Sequence, residues 1–299
     1  MNWKLTPVPT AFLAVRGWAR DQCHTPHMNM KKTLVFTDLD GTLMDHDTYA
    51  FEDAREILEG LNKRSIPVII CSSKTRAEIE TCQQRMGLKA PFVVENGAAV
   101  FVPHGLLNME KQGFVEKGPY QVVELGTPYP VLCDAWKRIK NMKGLRMKGF
   151  SEMPPQEIAD RTGLPLAEAR LAAMREYTEP FVFSDTPDRM RLLEGALHEE
   201  GLKVTRGGRF YHVIGQNDKG KAVRILRRLY EETDPDTTFQ TVGLGDSAND
   251  IPMLLCVDNP VVIRKKTGRW EYVPAAGPVI YSGERGPRGW AETVRGILW

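Results

Sequence analysis

Apolar runs of strand length alternate with helically spaced apolar residues through the first third of the chain. Leu34-Val35-Phe36 reads as a buried strand. Ala54, Ile57, Leu58 and Leu61 then recur at the spacing of one helix face, with Asp47 or Thr48 as candidate caps. Pro67-Val68-Ile69-Ile70-Cys71 is a second strand. Thr75-Arg76-Ala77-Glu78 has capping-box spacing and opens a helix with Ile79, Cys82 and Met86 on one side. Phe92-Val93-Val94 is a third strand. Strands and helices alternating in this order predict a parallel sheet.

The pattern changes between about residue 103 and residue 215. Pro155 to Thr162 reads as a short helix closed by Gly163, and Leu166 to Glu176 is helical by propensity. Phe181-Val182-Phe183 reads as a strand. Lys203 to Arg206 and Phe210 to Val213 flank Gly207-Gly208 as a hairpin. The first pattern then resumes with a helix over 219–232 and strands at 241–244 and 260–263. The predicted fold class is α/β, with a doubly wound, Rossmann-like parallel sheet core and an inserted α+β domain. Residues 31–105 and 215–299 are assigned to the core and 106–214 to the insert.

The strands of the core end in polar groups. Asp38 and Asp40 follow the first strand, two residues apart, with Gly41 to relax the turn. Ser72 and Lys74 follow the second. Lys219 opens the helix after the insert, and Asp246 and Asp250 follow the strand at 241–244. Ligands of open α/β sheets bind at this carboxyl end. Each piece alone is ordinary: an acidic turn, a cap serine, a solvated helix-start lysine, acids at a helix N-terminus. Together they meet the needs of phosphoryl transfer. A carboxylate nucleophile requires a neighbouring cation, and magnesium takes hard oxygen ligands of the kind Asp38 and Asp246 offer. A lysine and a hydroxyl can hold the other phosphoryl oxygens, and Asp40 can protonate the leaving oxygen and then activate water.

Composition narrows the setting. The 299 residues carry a formal net charge of +2, with no general case for nucleic acid or an anionic membrane as partner. No apolar run approaches the ~18 residues of a membrane span. Five cysteines form no CxxC pair, which fits reduced thiols and a cytoplasmic protein. Residues 1–30 carry Lys4, Arg16 and Arg20 but only one acid, Asp21. They are expected to be a disordered leader, or to precede a start at Met28 or Met30. A transit or signal segment lacks a clear small-residue cleavage site. Oligomeric state stays open.

Asp-Leu-Asp-Gly-Thr at 38–42, Ser72, Lys219 and Gly-Asp-Ser-Ala-Asn-Asp at 245–250 together resemble the haloacid dehalogenase-like phosphatases. The insert resembles the larger α+β cap of that family's second cap class. The second aspartate speaks against dehalogenase chemistry. Within the family, four strings resemble the mannosyl-3-phosphoglycerate phosphatase branch: Ser-Ser-Lys-Thr-Arg-Ala-Glu (72–78), Glu-Asn-Gly-Ala (95–98), Gly-Phe-Ser-Glu-Met (149–153) and Gly-Gly-Arg-Phe-Tyr-His (207–212). Arg-Glu-Tyr-Thr-Glu-Pro (175–180) is similar to another of its strings, while Pro154-Pro155 departs from the pattern.

The resemblance implies roles. Asp38 would form an aspartyl-phosphate, with Asp40 as general acid and then base. Mg2+ would be held by the Asp38 carboxylate, the Asp40 carbonyl and Asp246, with Asp250 orienting the metal shell. Ser72 and Lys219 would grip the phosphoryl group. The implied substrate is a small phosphorylated sugar acid, 2-O-mannosyl-3-phosphoglycerate, with glucosyl-3-phosphoglycerate or another sugar phosphate as the alternative. Lys74, Arg175 and Arg209 are candidates for its carboxylate. Glu95, Asn96, Glu179 and His212 are candidates for sugar hydroxyls, although a histidine on a hairpin is commonly a packed strand residue. The remoter alternative, a non-catalytic sugar-phosphate-binding protein, sits poorly with a complete set of catalytic residues.

Overall fold

The computed structural model describes residues 30–207 and 210–299. The expected leader therefore lies outside the described residues, save for Met30. Along the chain run β1 (Met30–Thr37), α1 (Glu52–Lys63), β2 (Val68–Cys71), α2 (Arg76–Met86), β3 (Phe92–Val94) and β4 (Ala99–Pro103). Next come β5 (Val115–Lys117), β6 (Tyr120–Glu124), α3 (Tyr129–Lys143), β7 (Met147–Gly149), α4 (Pro155–Thr162), α5 (Leu166–Ala172) and β8 (Glu179–Phe183). They are followed by α6 (Pro187–Glu199), β9 (Lys203–Gly207), β10 (Phe210–Ile214) and α7 (Lys219–Thr233). The chain ends with β11 (Thr237–Gly245), α8 (Ile251–Leu254), β12 (Asn259–Arg264), β13 (Ile280–Arg285) and α9 (Gly286–Leu298).

Two sheets result. The larger has the order β13-β12-β11-β1-β2-β3-β4-β6-β5 and is parallel from β13 to β3. Strand β1 lies inside it, between β11 and β2: the chain steps from it to β2 on one side and later returns through β11 on the other. That reversal is the topological switch point at which such sheets bind ligands. Residues 34–36 are fully buried because helices cover both faces. Val35 packs into one core with Leu58, Leu61 and Trp290, while Leu34 and Phe36 pack into another with Leu226 and Leu229. The predicted fold class is the one observed.

The smaller sheet, β7-β8-β10-β9, is antiparallel throughout. Helices α3 and α6 cover one face around Trp136, Phe181, Leu193 and Val213. Around α4 and α5, Phe150, Ile158 and Ala169 form a separate apolar cluster. The boundary expected at residue 106 needs correcting. Strands β5 and β6 fall in the stretch assigned to the insert, yet β6 pairs with β4 over five residues, from Ala99↔Glu124 to Pro103↔Tyr120. They extend the core sheet, and the second sheet's own elements begin at α3.

Local signals fared unevenly. Thr75 caps α2 with both halves of the capping box, and Gly163 closes α4 in the left-handed conformation. Neither Asp47 nor Thr48 caps α1. Both donate backbone N–H groups to Asp45 Oδ1 in a tight turn, and Phe51 is the N-cap residue.

Candidate active site

The carboxyl ends of β1, β2 and β11 converge with the start of α7. Asp38 donates its backbone N–H to the Leu244 carbonyl at 2.9 Å, which ties the turn after β1 to the neighbouring strand. Behind it, the buried Trp290 indole of α9 donates to Thr37 Oγ1 at 3.0 Å, and that hydroxyl donates to the Asp38 carbonyl at 2.7 Å. Gly41, at φ +82°, completes the turn. A Cβ on it would lie 2.9 Å from Asp246 Oδ2, so only glycine lets these two loops touch.

Lys219 is completely buried. Its ammonium lies 2.7 Å from Asp38 Oδ1 and 2.5 Å from Asp250 Oδ1. Burial alone would lower its pKa; Asp250 and Asp38 outweigh that and raise it, so it stays charged. The other oxygen of Asp250 accepts the backbone N–H groups of Asp246 and Ser247, each at 3.0 Å. Asp250 thus fixes the lysine and the loop that carries Asp246.

Asp38, Asp246 and Asp250 each offer a carboxylate oxygen within 4.8 Å of the others. Burial raises Asp38 well above the usual carboxylate range. Lys219 opposes this, and Asp250 and Asp246 add to it. Asp246 is raised to about 7, by burial first and then by Asp250. Three converging acids beside one ammonium are a hard-oxygen donor set that a divalent cation would complete, and magnesium fits that chemistry.

A cavity opens over this cluster. The core contributes Asp38, Asp40, Ser73, Lys74 and Asn249; the second sheet and its helices contribute Phe150, Arg175 and His212. Asp40 Oδ2 pairs with the Lys74 ammonium at 3.2 Å, and Asp40 Oδ1 has no partner among the described residues. Lys74 also reaches Glu78 at 3.4 Å and lies over the Tyr49 ring. Burial would lower its pKa, but Asp40 and Glu78 raise it. Asp246 faces a neighbouring cleft with Gly41, Ser247, Arg206 and Lys265, so the acidic cluster stands between two openings.

The remaining expected residues divide. Ser72 is buried at the end of β2, where its hydroxyl accepts the Lys74 N–H at 3.3 Å. Asn96 accepts the Asn249 amide at 3.0 Å and has an unpaired Nδ2. Arg175 lines the cavity, donates to the Ser73 carbonyl at 3.0 Å and has an unpaired Nε. Arg209 lies outside the described residues.

Glu95 and Glu179 are placed differently from expectation. Glu95 is fully buried, accepts from Glu176 N, Tyr177 N and Thr178 Oγ1 at 2.8, 3.1 and 2.8 Å, and does not line the cavity. Burial raises its pKa, and Arg175 opposes. Glu179 is buried within the second sheet, bound by Tyr129 Oη at 2.5 Å and by Ser151 N and Oγ at 2.9 and 2.7 Å. Sequence reading missed Trp290, the Asn96–Asn249 link and the Lys74–Asp40 pair. Only Lys74 carried a signal, its spacing of four to Glu78.

Residues 35–269 match the family described as haloacid dehalogenase-like hydrolase. The chain belongs to that family. Among curated relatives of this hydrolase, a Persephonella marina protein named glucosyl-3-phosphoglycerate/mannosyl-3-phosphoglycerate phosphatase is 43% identical over 270 residues, covering 89% of this chain and 97% of its own. A Methanococcoides burtonii protein of the same name is 38% identical, with the same coverage of both chains. The mannosyl-3-phosphoglycerate phosphatase of Pyrococcus horikoshii is 37% identical over 77% of this chain and 90% of its own. The enzyme class expected from the sequence, a phosphoric monoester hydrolase, stands with these names. Solved structures share the hydrolase's fold. A Thermoplasma acidophilum protein has a TM-score of 0.63 at 16% identity, covering 90% of this chain and 99% of that one. Sucrose-phosphatase from Synechocystis has 0.55 at 15%, covering 90% and 98%. Among the described residues no helix of the hydrolase is long and apolar enough to cross a membrane.

Proposed function

We propose that this hydrolase cleaves the phosphate ester of 2-O-mannosyl-3-phosphoglycerate through an aspartyl-phosphate on Asp38, releasing mannosylglycerate and phosphate. The observation that carries the reading is the buried Lys219 ammonium bridging Asp38 and Asp250 beside Asp246, under a cavity shared with Asp40. An Asp38 oxygen attacks phosphorus while the bond from phosphorus to the glycerate oxygen breaks. Asp40 delivers a proton to that oxygen, so the glycerate leaves as an alcohol rather than as an alkoxide. Asp40 then removes a proton from a water, whose oxygen attacks the phosphorus and frees Asp38. Lys219 offsets charge on the phosphoryl oxygens, with Ser72 as their expected hydroxyl partner. Magnesium, held by the Asp38 carboxylate, the Asp40 carbonyl and Asp246, would supply the remaining positive charge.

The insert acts as a cap that brings Arg175 to the substrate carboxylate. The relatives' names carry the substrate class, and two of them include the glucosyl ester, so that ester is a second substrate in this reading. Cys71, Cys82, Cys133 and Cys256 are free thiols, in keeping with a cytoplasmic enzyme. The test is phosphate release from synthetic mannosyl- and glucosyl-3-phosphoglycerate, with and without magnesium. Magnesium-dependent release from the mannosyl ester is expected. No release from either ester would remove the proposal.

A further inference from the structure

His212 lies at the middle of β10, which is paired on one side with β8 and on the other with β9. Strand alternation directs Tyr211 and Val213 to the apolar cluster under α3 and α6. His212 takes the other face, lines the cavity with Asp38, Asp40 and Arg175, and is only 5% exposed. Its Nδ1 has no hydrogen-bond partner among the described residues. The same holds for Asp40 Oδ1 and Arg175 Nε, on residues of the same cavity wall, and for Asn96 Nδ2, one hydrogen bond away through Asn249. Buried polar atoms are nearly always paired in folded proteins, so several unpaired around one cavity mark groups that a ligand completes.

The imidazole differs in kind from its neighbours. Burial, with Arg175 and Lys219 nearby, pushes its pKa down to about 3. At neutral pH it therefore presents one N–H donor and one bare nitrogen acceptor. That pairing suits a hydroxyl, which both accepts and donates; carboxylate and phosphoryl oxygens only accept. In the phosphatase reading the anionic ends of the substrate fall to the cations Lys219 and Arg175. Gly207 beside the ring leaves space open, since a Cβ there would lie 3.2 Å from Asn249 Nδ2 and 3.9 Å from His212 Nε2.

We propose that His212 is a specificity-determining residue, whose imidazole hydrogen-bonds a hydroxyl of the substrate's organic part and favours glycosyl-phosphoglycerates over phosphate esters without one. The inference rests on the phosphatase reading and adds a role within it. The experiment measures kcat and KM of wild type, His212→Phe and His212→Gln on synthetic mannosyl-3-phosphoglycerate and on p-nitrophenyl phosphate, whose leaving group has no hydroxyl. His212→Phe keeps the ring's bulk and is expected to lose about ten-fold in kcat/KM on the sugar ester, the scale of one hydrogen bond. Its activity on the aryl ester should stay within about two-fold. His212→Gln restores a donor and an acceptor, and should recover part of the loss. Equal losses on both esters, or no loss on either, overturn the His212 assignment while the phosphatase reading stands. If His212→Phe fails to fold, His212→Gln decides by the same comparison. Wild-type protein that releases phosphate from neither ester overturns both.

Discussion

Lys74 places its ammonium 3.2 Å from Asp40 Oδ2, so a residue expected to hold a substrate carboxylate instead holds the proposed general acid. With Glu78 on its other side, the lysine is nine-tenths buried and locked in one position. Lys74→Met should therefore lower kcat about ten-fold or more, within the range that general acid–base groups contribute. The drop should appear on substrates with and without a carboxylate. A change confined to the KM of carboxylate-bearing esters would return Lys74 to its first expected role.

Replacing Asp38 by Asn removes the attacking oxygen's charge but keeps its shape. Turnover should vanish while the circular dichroism spectrum and the cooperative melt persist. EDTA should silence the wild-type enzyme and magnesium restore it. Full activity in Asp38→Asn would end the nucleophile assignment.

Asp246 carries a stability cost that pH reveals. Its pKa rises from 3.8 to about 7 on folding without a cation. An acid raised on folding binds more protons folded than unfolded, so its penalty grows as pH climbs from about 4 to about 7. At ~1.4 kcal/mol per pKa unit the effect reaches a few kcal/mol. In EDTA, the gap in Tm between Asp246→Asn and wild type should widen in the variant's favour from pH 4 to pH 8. A gap that stays constant across that range would refute the assignment.

Glu95 joins the two sheets through three hydrogen bonds to residues 176–178. Glu95→Gln presents an amide to a backbone donor, leaving at least one buried group unpaired. A loss of about 1–3 kcal/mol in stability is expected, read from chemical denaturation. An unchanged midpoint would mean that the junction is held elsewhere.

The parallel core was legible because strands buried on both faces write unbroken apolar runs, as 34–36 and 68–71 do. Strands β5 and β6 were not: β5 is the sheet's edge, where Val115 and Glu116 are both exposed, and in β6 the buried Val122 and Val123 are adjacent, so neither strand alternates. In the site, Asp38, Asp40, Lys219, Asp246 and Asp250 were legible as polar groups at strand ends and a helix start. The partners of Glu95 were not legible because they are mainly backbone N–H groups 81 and 82 positions away, which no side-chain pattern records. Trp290 was missed for a related reason: its contact with Thr37 spans 253 positions.

Two of the three donors that bind Glu95 are main-chain amides, present whatever side chains residues 176 and 177 carry. Part of the joint between the sheets is thus main-chain geometry, while the side chains of Glu176 and Tyr177 tie it to Lys117 and Glu124. The insert's face over the cavity can be rewritten, by selection or by a designer, to suit another ester while the junction at 176–178 is kept. Specificity and assembly are then separable variables in this architecture, and a chimera that exchanges residues 129–175 and 179–214 while keeping 176–178 is the natural way to exploit that.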